Sequence, residues 1–404
     1  MSDVCLCFEV HQPFRVGAYD AFAVGQHHDY FDEELNALLM RRVADKCYLP
    51  TNARLLRLIE RHKGRFRVAF SISGVAVEQM RLYAPDALAS FLQLVDTGDV
   101  ELLVETYHHS LAALYDVDEF HAQVGLHAEL MRTCFGVRPR IFRNTELIFN
   151  DQIAREVTAL GFDAALVEGA DDILAGRSPN GVFGAAEGPL LLLPKHYALS
   201  DDIAFRFSDP AAPAYPLTPA KYAAALHALG KEAASIHLFM DYETFGEHQW
   251  EATGIFRFLE EMPSAVLAHQ DFVFRTPSEI IASKAAHDRL SFHRTVSWAD
   301  SARDVSAWAG NDMQRAALKR AFHVLQQAKA HGSPETLATA RRLTTSDHFY
   351  YMSTKGDADG DVHAYFRPFD SPYDAFIHFM NALSDLEGRL QPSQGSGSVG
   401  ASPA

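Results

Sequence analysis

The chain reads as an α/β protein of parallel βαβ units, either one large barrel with a helical appendage or two ordinary domains. Three observations point there. Short runs of β-branched and aromatic residues alternate with amphipathic, glycine-terminated segments as far as about residue 275. From about residue 299 the pattern becomes helical throughout. The length, 404 residues with 48% hydrophobic side chains, is globular and exceeds what one small core can organise.

The elements follow in order. "VCLCFEV" (4–10) is a strand whose alternation puts Cys5 and Cys7 on one face. After a long loop, "TNARLLRLIERHKG" (51–64) carries Leu55, Leu58 and Ile59 at helical spacing and closes on Gly64. "RFRVAFSI" (65–72) is the second strand, and the helix over 84–98 starts at Pro85 and stops at Gly98. A strand over 99–105, a helix over 117–136 and a strand over 140–144 continue the alternation. A helix over 151–160, ended by Gly161, leads to the strand "DAALVE" (163–168). Proline and glycine break the rhythm between 170 and 218, where one strand fits at 189–193. It resumes with a helix over 219–230, the strand "SIHLFM" (235–240), a helix near 254–262 and "DFVFR" (271–275). In the helical remainder Trp298 and Trp308 read as core. "DADGDVHAYF" (357–366) has the acidic spacing of a calcium loop without its twelfth-position glutamate and reads as a polar loop. The last fourteen residues, 391–404, have the Gly, Ser and Pro composition of a disordered tail.

Charge narrows the partners. Lys and Arg number 36 against 52 Asp and Glu, a balance of −16 that argues against nucleic acid or an anionic membrane and favours a neutral or cationic substrate. No apolar run approaches the roughly 18 residues of a spanning helix, and "MSDVCLCFEV" lacks the pattern of a secretory signal. Four cysteines in so long a chain do not make a disulfide framework, so a cytoplasmic protein is expected. The oligomeric state is not legible.

Catalytic groups of parallel barrels come from the C-terminal ends of the strands. Here those ends read "HQP" (His11, Gln12), "ETYHHSL" (Glu105, His108, His109), "FRNTEL" (Glu146) and "MDYETFGEHQW" (Asp241, Glu243, His248, Trp250). Two opposed carboxylates are what glycoside cleavage requires. Trp250, Tyr107, Phe142 and Tyr242 could stack on sugar faces, and His11, Gln12, His108 and His248 could bind hydroxyls. His108 and His109 are adjacent, so at most one of them faces a substrate. A metal-dependent hydrolase using His11, His108 or His109 and Asp241 is a second chemistry, although no HxH or HxxxH spacing supports it. A non-catalytic carbohydrate-binding protein is a third.

"HQP", "GDVELLVETYHHSL", "FRNTEL", "MDYETFGEH" and "TTSDHFYYM" resemble, in that order, the five motif regions of glycoside hydrolase family 57, over roughly residues 4 to 387. The resemblance implies an incomplete parallel (β/α)7 barrel (1–298) followed by a C-terminal helical region (299–390) that completes the cleft. It implies a retaining enzyme acting on α-1,4-glucans as an α-amylase, or a 4-α-glucanotransferase or branching enzyme on the same scaffold, with neither cofactor nor metal. Glu146 falls on the nucleophile position and Asp241 on the acid/base, Glu243 being the alternative acid. His11, Glu105, His109 and Asp347 fall on positions expected to line the subsites, with Gln12, His108, Glu243, His248 and Trp250 as further substrate-binding candidates. Many relatives carry a tryptophan shortly before the nucleophile, where this chain has Phe142.

Overall fold

The computed structural model describes residues 2–230, 233–355 and 367–390. The expected tail at 391–404 and the acidic loop at 357–366 lie outside them.

Ten strands form one sheet among the described residues: β1 (Ser2–Val10), β2 (Val68–Ile72), β3 (Val100–Leu102), β4 (Ile141–Arg143), β5 (Ala164–Glu168), β6 (Phe183–Ala185), β7 (Leu191–Lys195), β8 (Ser235–Asp241), β9 (Phe272–Phe274) and β10 (Arg289–Leu290). Seven of them close a parallel ring. β1 lies between β2 and β8; β2 pairs β3, β4 pairs β5, β5 pairs β7 and β7 meets β8. Two seams are thin. Val104, just past β3, bridges Phe142, its N–H donating to the Ile141 carbonyl at 3.0 Å. β7 and β8 share one register pair, Lys195 opposite His237. The remaining strands are appendages: β9 adds to the start of β1, β6 runs antiparallel to β7, and β10 adds to β6.

The expected (β/α)7 barrel with a helical C-terminal region is therefore what the chain forms. Its helices obey local chemistry. Val117–Phe135 starts on the Asp116 side chain, which accepts from the Glu119 N–H, and ends at Gly136 with φ 71°. Pro85 and Pro219 open their helices, as proline at the first turn costs no hydrogen bond. The long loop expected between 10 and 51 holds a helix, Glu33–Val43, capped by Asp32 with Glu33 and Glu34 in its first turn and Arg41 and Arg42 in its last. Two further helices the sequence reading passed over, Gly74–Tyr83 and Tyr197–Ala204, follow β2 and β7.

Core packing follows the two-residue period of the strands. Val4, Leu6, Phe8 and Val10 face outward with Phe70, Ile72 and Leu238 against the surrounding helices. Cys5 and Cys7 face inward with Ala69, Leu103, Ile141, Leu166, Leu193 and Phe239. Each large side chain buried this way contributes roughly 1.5–3 kcal/mol. The helical region packs Leu318, Phe322 and Leu325 of Asp312–His331 into one cluster with Phe379, Leu383 and Leu386 of Pro372–Leu390. No helix among the described residues is long and apolar enough to cross a membrane.

Candidate active site

Each inward column of the ring changes from apolar to polar at the same height. Two positions past Cys7, Ala69, Leu103, Ile141, Leu166, Leu193 and Phe239 come Glu9, Ser71, Glu105, Arg143, Glu168, Lys195 and Asp241. Side chains two apart on a strand share a face, so seven strands deliver a polar ring of six ionisable groups and one serine to the C-terminal mouth. The ring is cross-linked. Arg143, fully buried, forms an ion pair with Glu9 and lies 3.6 Å from Glu105, which accepts from the Ser71 hydroxyl at 2.7 Å. Lys195 sits 3.9 Å from Glu168, whose other oxygen is 2.9 Å from Arg303.

Glu146 stands above this ring on the turn after β4, with left-handed backbone (φ 58°, ψ 23°) followed by Leu147 at φ 50°. Such a conformation costs a non-glycine residue of order 1 kcal/mol or more and aims the side chain inward. Its carboxylate accepts from Trp298 Nε1 at 2.8 Å on Oε2 and from the Ser346 hydroxyl at 3.0 Å on Oε1. The Trp298 N–H also donates to the Glu146 carbonyl, and Val296 bridges Phe149, so the segment after β10 is zipped to the Glu146 turn.

His109 is the hub below. Its Nδ1 meets Glu105 at 2.7 Å, and its Nε2 lies 3.3 Å from Glu9 and 3.4 Å from Glu146. Burial alone would lower its pKa, but Glu9 and Glu105 outweigh that and hold it well above the ordinary histidine value. For Glu105, burial pushes upward and the charges of His109 and Arg143 win, leaving it at about 2. Burial raises the Glu9 carboxyl, against the pull of Arg143 and His109.

His11 stacks on His109 with ring centroids 3.9 Å apart. Its Nδ1 bonds the Ser73 hydroxyl at 2.7 Å and its Nε2 bonds Asp347 at 2.9 Å. Asp347 comes from the helical region, held in place because the Ser346 N–H donates to the His109 carbonyl and the Thr345 hydroxyl to the His108 carbonyl, both at 2.9 Å.

Asp241 ends β8, half-buried and beside Glu9 in register. Glu243 is buried behind it, accepting from the Tyr48 hydroxyl and from Gln12 Nε2 at 3.4 Å; burial and the Asp241 charge push its pKa up to about 8. Glu247 is turned away from the cleft, 3.0 Å from Arg42 and 3.8 Å from Lys46. That turn depends on Gly246, at φ 111°, where a Cβ would lie 2.0 Å from the Lys46 carbonyl oxygen.

One cleft unites these groups. Its wall includes His11, Gln12, His109, Glu146, Asp241, Glu243, His248 and Asp347, the sequence-derived candidates that converge. Three do not line it. Glu105 lies beneath, orienting His109. Trp250 is 60% exposed outside the wall. His108 is turned into the protein beside Tyr107, because the positive φ of His109 sends consecutive side chains apart. The expected stacking residues are corrected too. Phe142 packs outside the barrel on Phe120 and Phe162, Tyr242 belongs to the outer core, and Tyr107 covers Gly74 with its hydroxyl on Glu78. Aromatic surface at the cleft comes instead from Trp298, Tyr350 and Phe205. Of the two tryptophans read as core, Trp308 is in the core at 1% exposure, whereas Trp298 is only partly buried and reaches the cleft. Glu9, Arg143, Lys195 and Ser346 were also missed. For the first three the signal was strand parity, which places them two positions past an inward apolar residue.

Burial holds His108 neutral, its pKa at about 3, and likewise lowers His237 and His348 to about 4. A histidine depressed in the fold takes up protons first in the unfolded chain. Its contribution is complete above about pH 6.5 and is lost by about 1.4 kcal/mol per unit as pH falls toward the folded value. His108→Phe is therefore expected to show a shallower fall of Tm between pH 6.5 and 5 than the parent chain, measured by scanning calorimetry; parallel curves would contradict this.

Ligand atoms of Glu9, Glu105 and His109 lie within 4.8 Å of one another, close enough for a metal ion. This is not the set the sequence suggested, and the Arg143 guanidinium already supplies the cation between the two carboxylates. The residues fit an internal ion-pair network better than a metal centre.

Comparison with known proteins agrees with this architecture. The family model described as Glycosyl hydrolase family 57 matches residues 5–293. A Methanocaldococcus jannaschii protein named "Putative alpha-amylase" is 41% identical over 396 residues, 94% of this chain and 83% of that protein. The 4-alpha-glucanotransferase of Thermococcus litoralis superposes with a TM-score of 0.65 at 15% identity, over 86% of this chain; the chain spans 56% of that protein's length. A branching enzyme of Thermococcus kodakaraensis gives 0.63 at 13% identity, over 90% of this chain and 88% of that one. Identities this low speak for a shared fold alone. With the family model spanning most of the chain and a relative aligned along nearly all of it, the protein belongs to glycosyl hydrolase family 57.

Proposed function

We propose that the protein is a retaining hydrolase of α-1,4-glucans in which Glu146 is the nucleophile and Asp241 the acid/base. The observation that carries the reading is that both carboxyl groups wall one cleft in different surroundings. Glu146 is buried and accepts hydrogen bonds from Trp298 and Ser346, while Asp241 stands half-buried at the end of β8. The substrate class rests on the printed names of the relatives, an alpha-amylase, a glucanotransferase and a branching enzyme. A neutral polyhydroxyl chain also suits the charge of −16 and the aromatic wall.

In the first step a Glu146 oxygen attacks the anomeric carbon, the bond to the leaving oxygen breaks, and Asp241 gives that oxygen its proton. The product is a glucosyl ester on Glu146. Asp241, now a carboxylate, takes a proton from water as the water oxygen displaces Glu146 from the anomeric carbon. Glu243 is the less suitable acid: it is buried behind Asp241 against Tyr48 and Gln12. Glu243→Gln should thus cost far less activity than Asp241→Asn.

Trp298 aims the nucleophile. Trp298→Phe keeps a ring beside Phe239 and Lys195 but removes the N–H on Glu146. We expect kcat to fall roughly 10²-fold, the scale of losing one preorganised donor, with KM changed much less.

The test is incubation with maltoheptaose, starch and a β-glucan, following products by chromatography and early anomeric NMR. Shorter oligosaccharides released first as the α-anomer, with the β-glucan untouched, are expected. Products longer than the substrate would assign a transferase on the same scaffold, and no turnover of either α-glucan would overturn the reading.

A further inference from the structure

The mouth of the cleft carries two aromatic side chains that this mechanism does not use. Phe205 is 44% exposed on the cleft wall and Trp250 is 60% exposed just beyond it. Their segments are clasped together, since Gln249 Nε2 donates to the Ala204 carbonyl at 3.1 Å; the residues joined are those immediately preceding the two aromatics. His248, two residues before Trp250, lines the cleft, so the chain leads from the cleft wall to the tryptophan within two residues.

Both rings stand on anchored backbone. Phe205 caps the helix Tyr197–Ala204, its N–H donating to the Asp201 carbonyl at 2.9 Å. The Trp250 carbonyl accepts from the Thr253 N–H at 2.9 Å and from the Thr253 hydroxyl at 2.7 Å. Large aromatics held in water on a fixed frame beside a binding cleft are unfavourable for folding alone and suited to a ligand with flat apolar faces. The C–H faces of successive glucosyl rings provide such surfaces.

We propose that Phe205 and Trp250 form an outlying subsite for the part of an α-glucan chain that leaves the cleft, so that the protein prefers longer substrates. This rests on the α-glucan reading above.

The test uses Glu146→Gln protein, which binds without consuming the ligand, and isothermal titration with maltotriose and maltoheptaose. Maltoheptaose should bind at least about tenfold tighter than maltotriose, a gap of one stacking contact or more. Phe205→Ala and Trp250→Ala should each narrow that ratio several-fold, and Trp250→Phe should restore most of it. A ratio untouched by both alanine variants overturns the subsite while leaving the glucan reading standing. Folded Glu146→Gln protein that binds neither sugar overturns both.

Discussion

Glu146→Gln is expected to lower kcat on maltoheptaose by on the order of 10⁴-fold or more, the scale on which removing a nucleophile acts. The fold should tolerate the change. The new amide can keep its carbonyl on the Trp298 N–H and turn its NH2 to the Ser346 hydroxyl, which can accept as well as donate. Loss of rate then reports chemistry, and circular dichroism with an unchanged Tm would separate it from unfolding. Glu146→Ala in azide should recover turnover and yield a β-glycosyl azide, because the small anion enters from the face the carboxylate has vacated. A Glu146→Gln enzyme retaining more than about 1% of the parent kcat would contradict the assignment.

The second large effect is on stability. Arg143→Leu removes one of the two cationic groups buried against Glu9 and Glu105, leaving His109 alone to face two carboxylates that are almost inaccessible to water. Breaking a buried pair in this way costs about 3–5 kcal/mol. The deficit should depend on pH with a definite sign. Burial already raises the Glu9 carboxyl, and loss of Arg143 raises it further. A raised carboxyl holds its proton more tightly in the fold, so its cost is absent below the unfolded value of about 4.3 and grows as pH rises. Denaturant titrations should show a larger deficit at pH 7.5 than at pH 5. Equal deficits would mean that lost packing, not charge, explains the variant.

What the sequence made legible followed from period and punctuation. The apolar runs at 4–10, 65–72, 163–168 and 235–240 became β1, β2, β5 and β8, and reading past the strand ends located Glu146, Asp241, His11 and His109 at one cleft. Parity could have gone further. Cys5, Cys7 and Glu9 share a face, as do Ile141 and Arg143, so Phe142 and Tyr242 had to point outward and could not stack on a substrate. The helix Glu33–Val43 also announced itself by its cap and end charges. Other features were beyond local reasoning. Trp298 reaches Glu146 across 152 residues through the segment after β10, and Ser346 and Asp347 are placed by the Ser346 N–H and the Thr345 hydroxyl donating to carbonyls of the His108–His109 turn. Those positions depend on tertiary packing, which leaves no periodic trace in the chain.

The most direct measurement traps the intermediate. A 5-fluoro-α-maltosyl fluoride reacts at the nucleophile and slows the release of the sugar, and peptide mass spectrometry then locates the attached group. The account predicts a stoichiometric maltosyl ester on the peptide containing Glu146, absent from the Glu146→Gln protein. A label on Glu9, Asp241 or Glu243 instead, or early products of inverted configuration with no label, would contradict it.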